Sequence, residues 1–257
     1  MPPVSGRRPF AAAALAVALI AAPACDRGEE LRSEAIRGSR PVSFDAGGVE
    51  LEGRVFGPEE GSAGVVLAHM IPADQSAWFE TAAALGAMGY RVLTFNFRGY
   101  CPGGDAGCSQ GDKDVDAADE DLRGALAYLQ SLGVSRAALV GASMGGTAAL
   151  IVASDDGSNV DAVVTLSAPQ LLGDLAVQPE PLAALTAAKL YIAGTGDVTA
   201  ARAAEAFFDG SQQPKRLELV TTDDHGTDIL TGNQGTRVEG LIAGWLEAHL
   251  PVSEGDE

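Results

Sequence analysis

Residues 137–151 read Ala-Ala-Leu-Val-Gly-Ala-Ser-Met-Gly-Gly-Thr-Ala-Ala-Leu-Ile. The run from Ala137 to Gly141 is short and continuously apolar, as a strand buried on both faces would be. Gly145 and Gly146 then open a stretch of small residues suited to a helix packed close against that strand. Ser143 stands between the two. Only a tight turn can join them, and the flanking glycines permit one that pushes the serine side chain outward. A buried strand that turns directly into a helix is a unit of a parallel sheet, so this stretch decides the fold class.

The chain on either side has the same rhythm. Val49–Val55 (VELEGRV) alternates with period two and suits an antiparallel edge strand, whereas Gly64–Ala68 and Val92–Phe95 are continuous apolar runs expected of central parallel strands. Helical segments are expected over Gln75–Met88 and over Asp114–Leu132, where Leu122, Leu126 and Leu129 recur at helical spacing. Further strands follow at Val160–Leu166, Lys189–Ala193 and Arg216–Thr221, with helices around Ala200–Phe208 and Thr236–His249. The alternation specifies an α/β fold, a mainly parallel sheet of about eight strands with helices on both faces. No internal repeat interrupts it.

The first 24 residues read as a targeting segment. Arg7 and Arg8 form a basic start, Phe10–Ala22 an apolar middle too short for a comfortable membrane span, and Ala22-Pro23-Ala24-Cys25 a small-residue close. The close resembles the lipobox of bacterial lipoproteins, with Ala22 where a larger aliphatic is usual, and Arg7-Arg8-Pro9-Phe10 resembles a twin-arginine export signal. Residues 1–24 are thus expected to be a signal peptide and Cys25 the lipidated residue that anchors the chain to a membrane, outside the cytoplasm. Soluble secretion is the alternative. Residues 25–41 then read as a linker, 42–250 as one globular domain and 251–257 as an acidic tail. With 17 Lys and Arg against 35 Asp and Glu, a net charge of −18 argues against a nucleic-acid partner, which needs clustered basic residues. Export also bears on the thiols: with Cys25 lipidated, Cys101 and Cys108 remain as an even pair in an oxidising compartment, where a disulfide is expected. Their spacing is not that of a zinc site, and no histidine lies near.

The pattern Gly-x-Ser-x-Gly occurs twice, at Gly107–Gly111 around Ser109 and at Gly141–Gly145 around Ser143. Only Ser143 has a buried strand before it and a helix after it; Ser109 lies in an irregular, glycine-rich loop. A serine nucleophile needs a neutral imidazole to take its proton and a carboxylate to fix that imidazole's tautomer. The strand Lys189–Ala193 leads to Gly194-Thr195-Gly196-Asp197, and the strand from Arg216 leads to His225-Gly226. In this order the parts resemble the α/β-hydrolase family over residues 42–250, in which serine, acid and histidine follow one another along the chain.

The resemblance implies a triad of Ser143, Asp197 and His225, with Asp223, Asp224 and Asp228 as substitutes for the acid. It implies that the backbone N–H of Met144 and one from His69-Met70-Ile71-Pro72 bind the developing oxyanion. Ile71 is the donor by position, but Met70, where relatives carry glycine, is a possible alternative. His69 is expected to be structural, His249 to lie at a helix end, and Trp78 to be core rather than pocket lining. Residues 169–188 are too few for a large cap domain, so the closest likeness is to small lidless esterases and dienelactone-hydrolase-like proteins. That implies hydrolysis of a small carboxylic ester or thioester through an acyl-enzyme, without cofactor or metal. A peptidase, an acyltransferase or a non-catalytic binding lipoprotein are the alternatives. Relatives often carry Arg-Gly-Tyr-Gly-x-Ser-x-Gly after the fourth strand; here Arg98-Gly99-Tyr100 and Gly107–Gly111 give that form once residues 101–106 are set aside. The cysteines would then pin a six-residue insertion on a rim loop.

Overall fold

A computed structural model describes residues 33–101 and 107–252. The expected signal peptide, Cys25, the tip of the insertion and most of the acidic tail lie outside these residues. Eight strands form one sheet in the order β1-β2-β4-β3-β5-β6-β9-β10. They are β1 (Arg40–Ala46), β2 (Val49–Phe56), β3 (Ala63–Ala68), β4 (Arg91–Phe95), β5 (Arg136–Ala142), β6 (Val160–Leu166), β9 (Ala188–Gly194) and β10 (Lys215–Val220). The strands from β3 to β10 run parallel; β2 is antiparallel to β4, and β1 to β2. Between β6 and β9 lie a small hairpin, β7 (Leu171–Leu172) and β8 (Leu175–Ala176), and a short helix α4 (Pro179–Ala184). Nothing there amounts to a cap domain.

The helices divide between the two faces because the strand residues do. On β3, Val66 and Ala68 point to one side and Val65 and Leu67 to the other; on β5, Leu139 opposes Ala138 and Val140. One face is covered by α2 (Ala118–Ser131), α3 (Met144–Ala153) and α5 (Val198–Gly210), with Leu122, Leu126, Leu129 and Phe207 directed inward. The other is covered by α1 (Phe79–Ala87) and α7 (Gly235–His249), through Phe79, Leu85, Ile242 and Leu246. Full burial of one such aliphatic or aromatic side chain contributes roughly 1.5–3 kcal/mol. Trp78, in a 3-10 turn (Gln75–Trp78) ahead of α1, is fully buried, a core residue as expected.

Two readings of the chain's start need correction. Val49–Val55 is not an edge strand: β2 is paired on both sides, with β1 and with β4. The edge is β1, which begins inside the stretch read as linker, while residues 33–37 are helical. In β1, Phe44 and Ala46 are buried and alternate with exposed Ser43 and Asp45, too brief a pattern to stand out beside polar neighbours. The turn to β2 is Gly47-Gly48, both with positive φ of 63° and 87°, a conformation that glycine adopts without steric cost.

Candidate active site

β5 ends at Ala142 and α3 begins at Met144, leaving Ser143 alone to reverse the chain, with φ 48° and ψ −116°. That is a strained conformation for a residue with a Cβ. Three contacts hold it. Ser143 N–H donates to Leu166 O at 2.8 Å on the neighbouring strand, and Ser143 O accepts from Thr147 N at 3.0 Å in the following helix. The third is close packing: a Cβ on Gly141 would strike the Gly145 backbone, and one on Gly145 would lie 2.7 Å from His69 O. Each glycine thus lets one backbone touch another. Ser143 is half-buried while Ala142 and Met144 on either side are buried, so the serine is the residue the turn presents.

Asp197 follows β9 and caps α5, its Oδ1 accepting from Ala200 N–H at 3.3 Å. Its Oδ2 lies 2.5 Å from Nδ1 of His225, which follows β10. Side-chain exposure rises from 16% at Asp197 to 42% at His225, placing the carboxylate inside and the imidazole at the surface. The residue after the histidine ties this pair to the serine turn. Gly226 has φ 58°, and a Cβ there would meet Ala142 Cβ at 3.4 Å and collide with Met70 Sδ. His225 is therefore brought beside the end of β5. Among the other candidate acids, Asp224 Oδ2 accepts from Thr222 Oγ1 at 2.6 Å, and no contact joins Asp223 or Asp228 to the imidazole among the described residues.

The loop after β3 rests on the start of α3, because Gly145 packs on Ala68 and His69. His69 is fully buried between the rings of Phe97 and Tyr100. Its Nε2 accepts from Phe97 N–H at 3.1 Å and its Nδ1 lies 2.9 Å from Met70 O. The first bond requires a bare Nε2, so the proton is on Nδ1 and is donated to Met70 O. Burial pushes the His69 pKa down to about 4, which keeps it neutral. Met70 O and Ile71 N–H belong to one trans peptide and point in opposite directions. The buried imidazole thus turns the Ile71 N–H away from the core. Met70, where glycine was expected, is buried, and its sulfur occupies the space left by Gly226.

Ser109 has a different role. It is buried, its Oγ donates to Asn96 O at 2.5 Å and accepts from Glu52 N–H at 2.9 Å, and it ties the loop to β2. Asn96, which sequence reading missed, completes the knot: its Nδ2 donates to Gly107 O at 3.0 Å and its Oδ1 accepts from Gln75 N–H at 2.9 Å. Cys101 and Cys108 are disulfide-bonded at the base of the insertion, with Cα atoms 4.1 Å apart. His249 ends α7, its ring tilted against Trp245 with centroids 4.2 Å apart, far along the chain from these loops. Among the described residues, no group of three or more His, Cys, Asp or Glu side chains is placed to hold a metal ion, and no helix is long and apolar enough to cross a membrane.

Comparison with known proteins agrees with this architecture. The family model of the alpha/beta hydrolase fold matches residues 65–224. An esterase from Pyrococcus furiosus superposes with a TM-score of 0.69 at 16% identity, over 85% of this chain and 94% of its own. A dienelactone hydrolase from Anabaena variabilis gives 0.67 at 23%, over 82% and 98%, and an enol-lactonase from Burkholderia xenovorans 0.63 at 19%, over 79% and 99%. No curated protein sequence matches. With a family match spanning residues 65–224, more than half its length, and a strand order that places Ser143, Asp197 and His225 at one end of the sheet, this chain belongs to the α/β-hydrolase fold family.

Proposed function

We propose that the protein is an exported serine hydrolase that cleaves carboxylic esters or thioesters through an acyl-enzyme. The observation that carries this reading is the 2.5 Å pairing of Asp197 Oδ2 with His225 Nδ1, at the end of the sheet where the turn at Ser143 presents its hydroxyl. Asp197 holds the Nδ1 proton, so Nε2 is the free base. As Ser143 Oγ bonds to the acyl carbon, Nε2 takes the serine proton; the alcohol or thiol then leaves with that proton, and the acyl group stays on Oγ. Water enters by the same route, giving its proton to Nε2, and the acid departs as Oγ recovers a proton. Charge on the carbonyl oxygen is met by the Met144 N–H, at the positive end of α3, and by the Ile71 N–H that His69 orients. Names of the similar folds favour oxygen esters, since esterases and lactonases both break acyl–oxygen bonds.

The test is a fluorophosphonate probe on the folded protein, with p-nitrophenyl acetate turnover alongside. Labelling should map to Ser143 and vanish, with turnover, in Ser143→Ala; a folded protein that is neither labelled nor active would refute the assignment. Export and the Cys25 anchor rest on the first 25 residues of the sequence. Metabolic palmitate labelling that disappears in Cys25→Ser would support the anchor, and an unlipidated mature N-terminus would remove it.

A further inference from the structure

Ile71 (39%), Leu171 (61%), Val198 (53%) and Val252 (36%) are the exposed large apolar side chains among the described residues. Scattered singly, such residues mean little. Here three of the four leave the same end of neighbouring strands: Ile71 follows β3, Leu171 follows β6 and Val198 follows β9. β3 and β6 are the two strands paired with β5, which carries Ser143, and β9 lies next to β6. Apolar surface therefore flanks the serine turn on both sides.

The charged groups on these loops are one-sided. Asp74, Asp116, Asp174, Asp223, Asp224 and Asp228 all lie on segments leaving this end of the sheet, and β7–β8 packs onto the loop before α2, where Asp174 N–H donates to Asp116 Oδ1 at 2.6 Å. Among the described residues of these segments, Arg98 and Lys113 are the only Arg or Lys. Arg98 is engaged by Asp121 and Glu120, both at 2.7 Å, and Lys113 Nζ sits over the Tyr100 ring, 4.1 Å from its centre. Arg98 is thus neutralised, and Lys113 is the single remaining positive charge of these described segments, outnumbered by their aspartates.

We propose that this mouth selects acyl groups that are apolar and uncharged, and rejects acyl chains that end in a carboxylate. The proposal rests on Ser143 being the nucleophile. An alkyl chain running from Ser143 toward Leu171 and Val198 removes their surface from water, whereas a terminal carboxylate would enter a region in which aspartates outnumber the one unpaired cation, Lys113.

The experiment compares kcat/KM of the full-length protein for p-nitrophenyl acetate, p-nitrophenyl hexanoate and the mono-p-nitrophenyl ester of adipic acid. Hexanoate should exceed the monoadipate by about tenfold or more at low salt, with the gap narrowing in about 0.5 M NaCl as the charges are screened. In Leu171→Thr/Val198→Thr the hexanoate-to-acetate ratio should fall about threefold, as buried methylene groups lose their partners. A monoadipate rate equal to that of hexanoate would overturn the proposal, as would a chain-length ratio that the variant leaves unchanged, in a protein that still labels with fluorophosphonate. Absence of both labelling and acetate turnover would instead remove the nucleophile assignment, and this proposal with it.

Discussion

Ser143 and Ser109 occupy the same five-residue pattern, yet one stands at a strained turn and the other ties a loop to β2. Substitution should separate them. Ser143→Ala is expected to lower ester turnover by about 10⁴-fold or more with stability kept. Ser109→Ala leaves Glu52 N–H and Asn96 O without their buried partner and should cost about 1–3 kcal/mol in urea unfolding, while labelling at Ser143 persists. His69 gives a pH signature. Its pKa is about 4 in the folded chain against 6.5 when unperturbed, so between those values the unfolded state binds a proton that the folded state refuses. Its contribution is therefore complete above pH 6.5 and lost as pH falls toward 4, by about 3 kcal/mol in all. Wild type minus His69→Gln, followed by urea unfolding from pH 7.5 to 4, should show that decline, and a difference independent of pH would refute it. The position of Ser143, Asp197 and His225 at one end of the sheet was legible because each follows a predicted strand. Asn96 was not, because its bonds reach Gly107 and Gln75 through the fold and leave no local pattern.

At the scale of elements, the loops after β3 and β10 are fitted to each other through Met70 and Gly226. A methionine where glycine was expected is accommodated because glycine stands opposite, so the two positions should be coupled. Gly226→Ala alone should be strongly destabilising, since its Cβ meets the Met70 sulfur, and part of that cost should be recovered in Met70→Ala/Gly226→Ala. A double-mutant cycle with no coupling would contradict the packing. The rim loop offers a second check: Cys101→Ser/Cys108→Ser releases a ring with a sequence separation of 7 and should lower stability by about 2–3 kcal/mol. The central strands were readable because they are continuously apolar. β1 was missed although Gly47-Gly48 is a hairpin signal, because only Phe44 and Ala46 of its residues are buried. The β7–β8 hairpin and α6 (Asp228–Thr231) are held by contacts with neighbouring elements rather than by periodicity, and two or four residues carry too little of it to be seen.

For the molecule as a whole, strand and helix alternation determined the class of fold, and the helices sort to two faces because each central strand is apolar in both directions. Charge is the other global property. At −18 the folded chain repels itself, so raising NaCl from about 0.01 to 0.15 M should raise the Tm, most steeply at the low end. A Tm that falls with salt would mean that local ion pairs such as Arg123–Asp119 and Arg123–Asp155 outweigh the repulsion. The sheet also has two unlike ends. Arg40, where the chain enters β1, pairs with Val55 beside Phe56, which faces Val92 near the start of β4; Ser143, Asp197 and His225 lie past the opposite ends of the parallel strands. A lipid on Cys25, as proposed above, would join the domain through the chain that enters at Arg40, the end of the sheet opposite Ser143. The attachment would then leave the Ser143 end of the sheet unobstructed by its own tether.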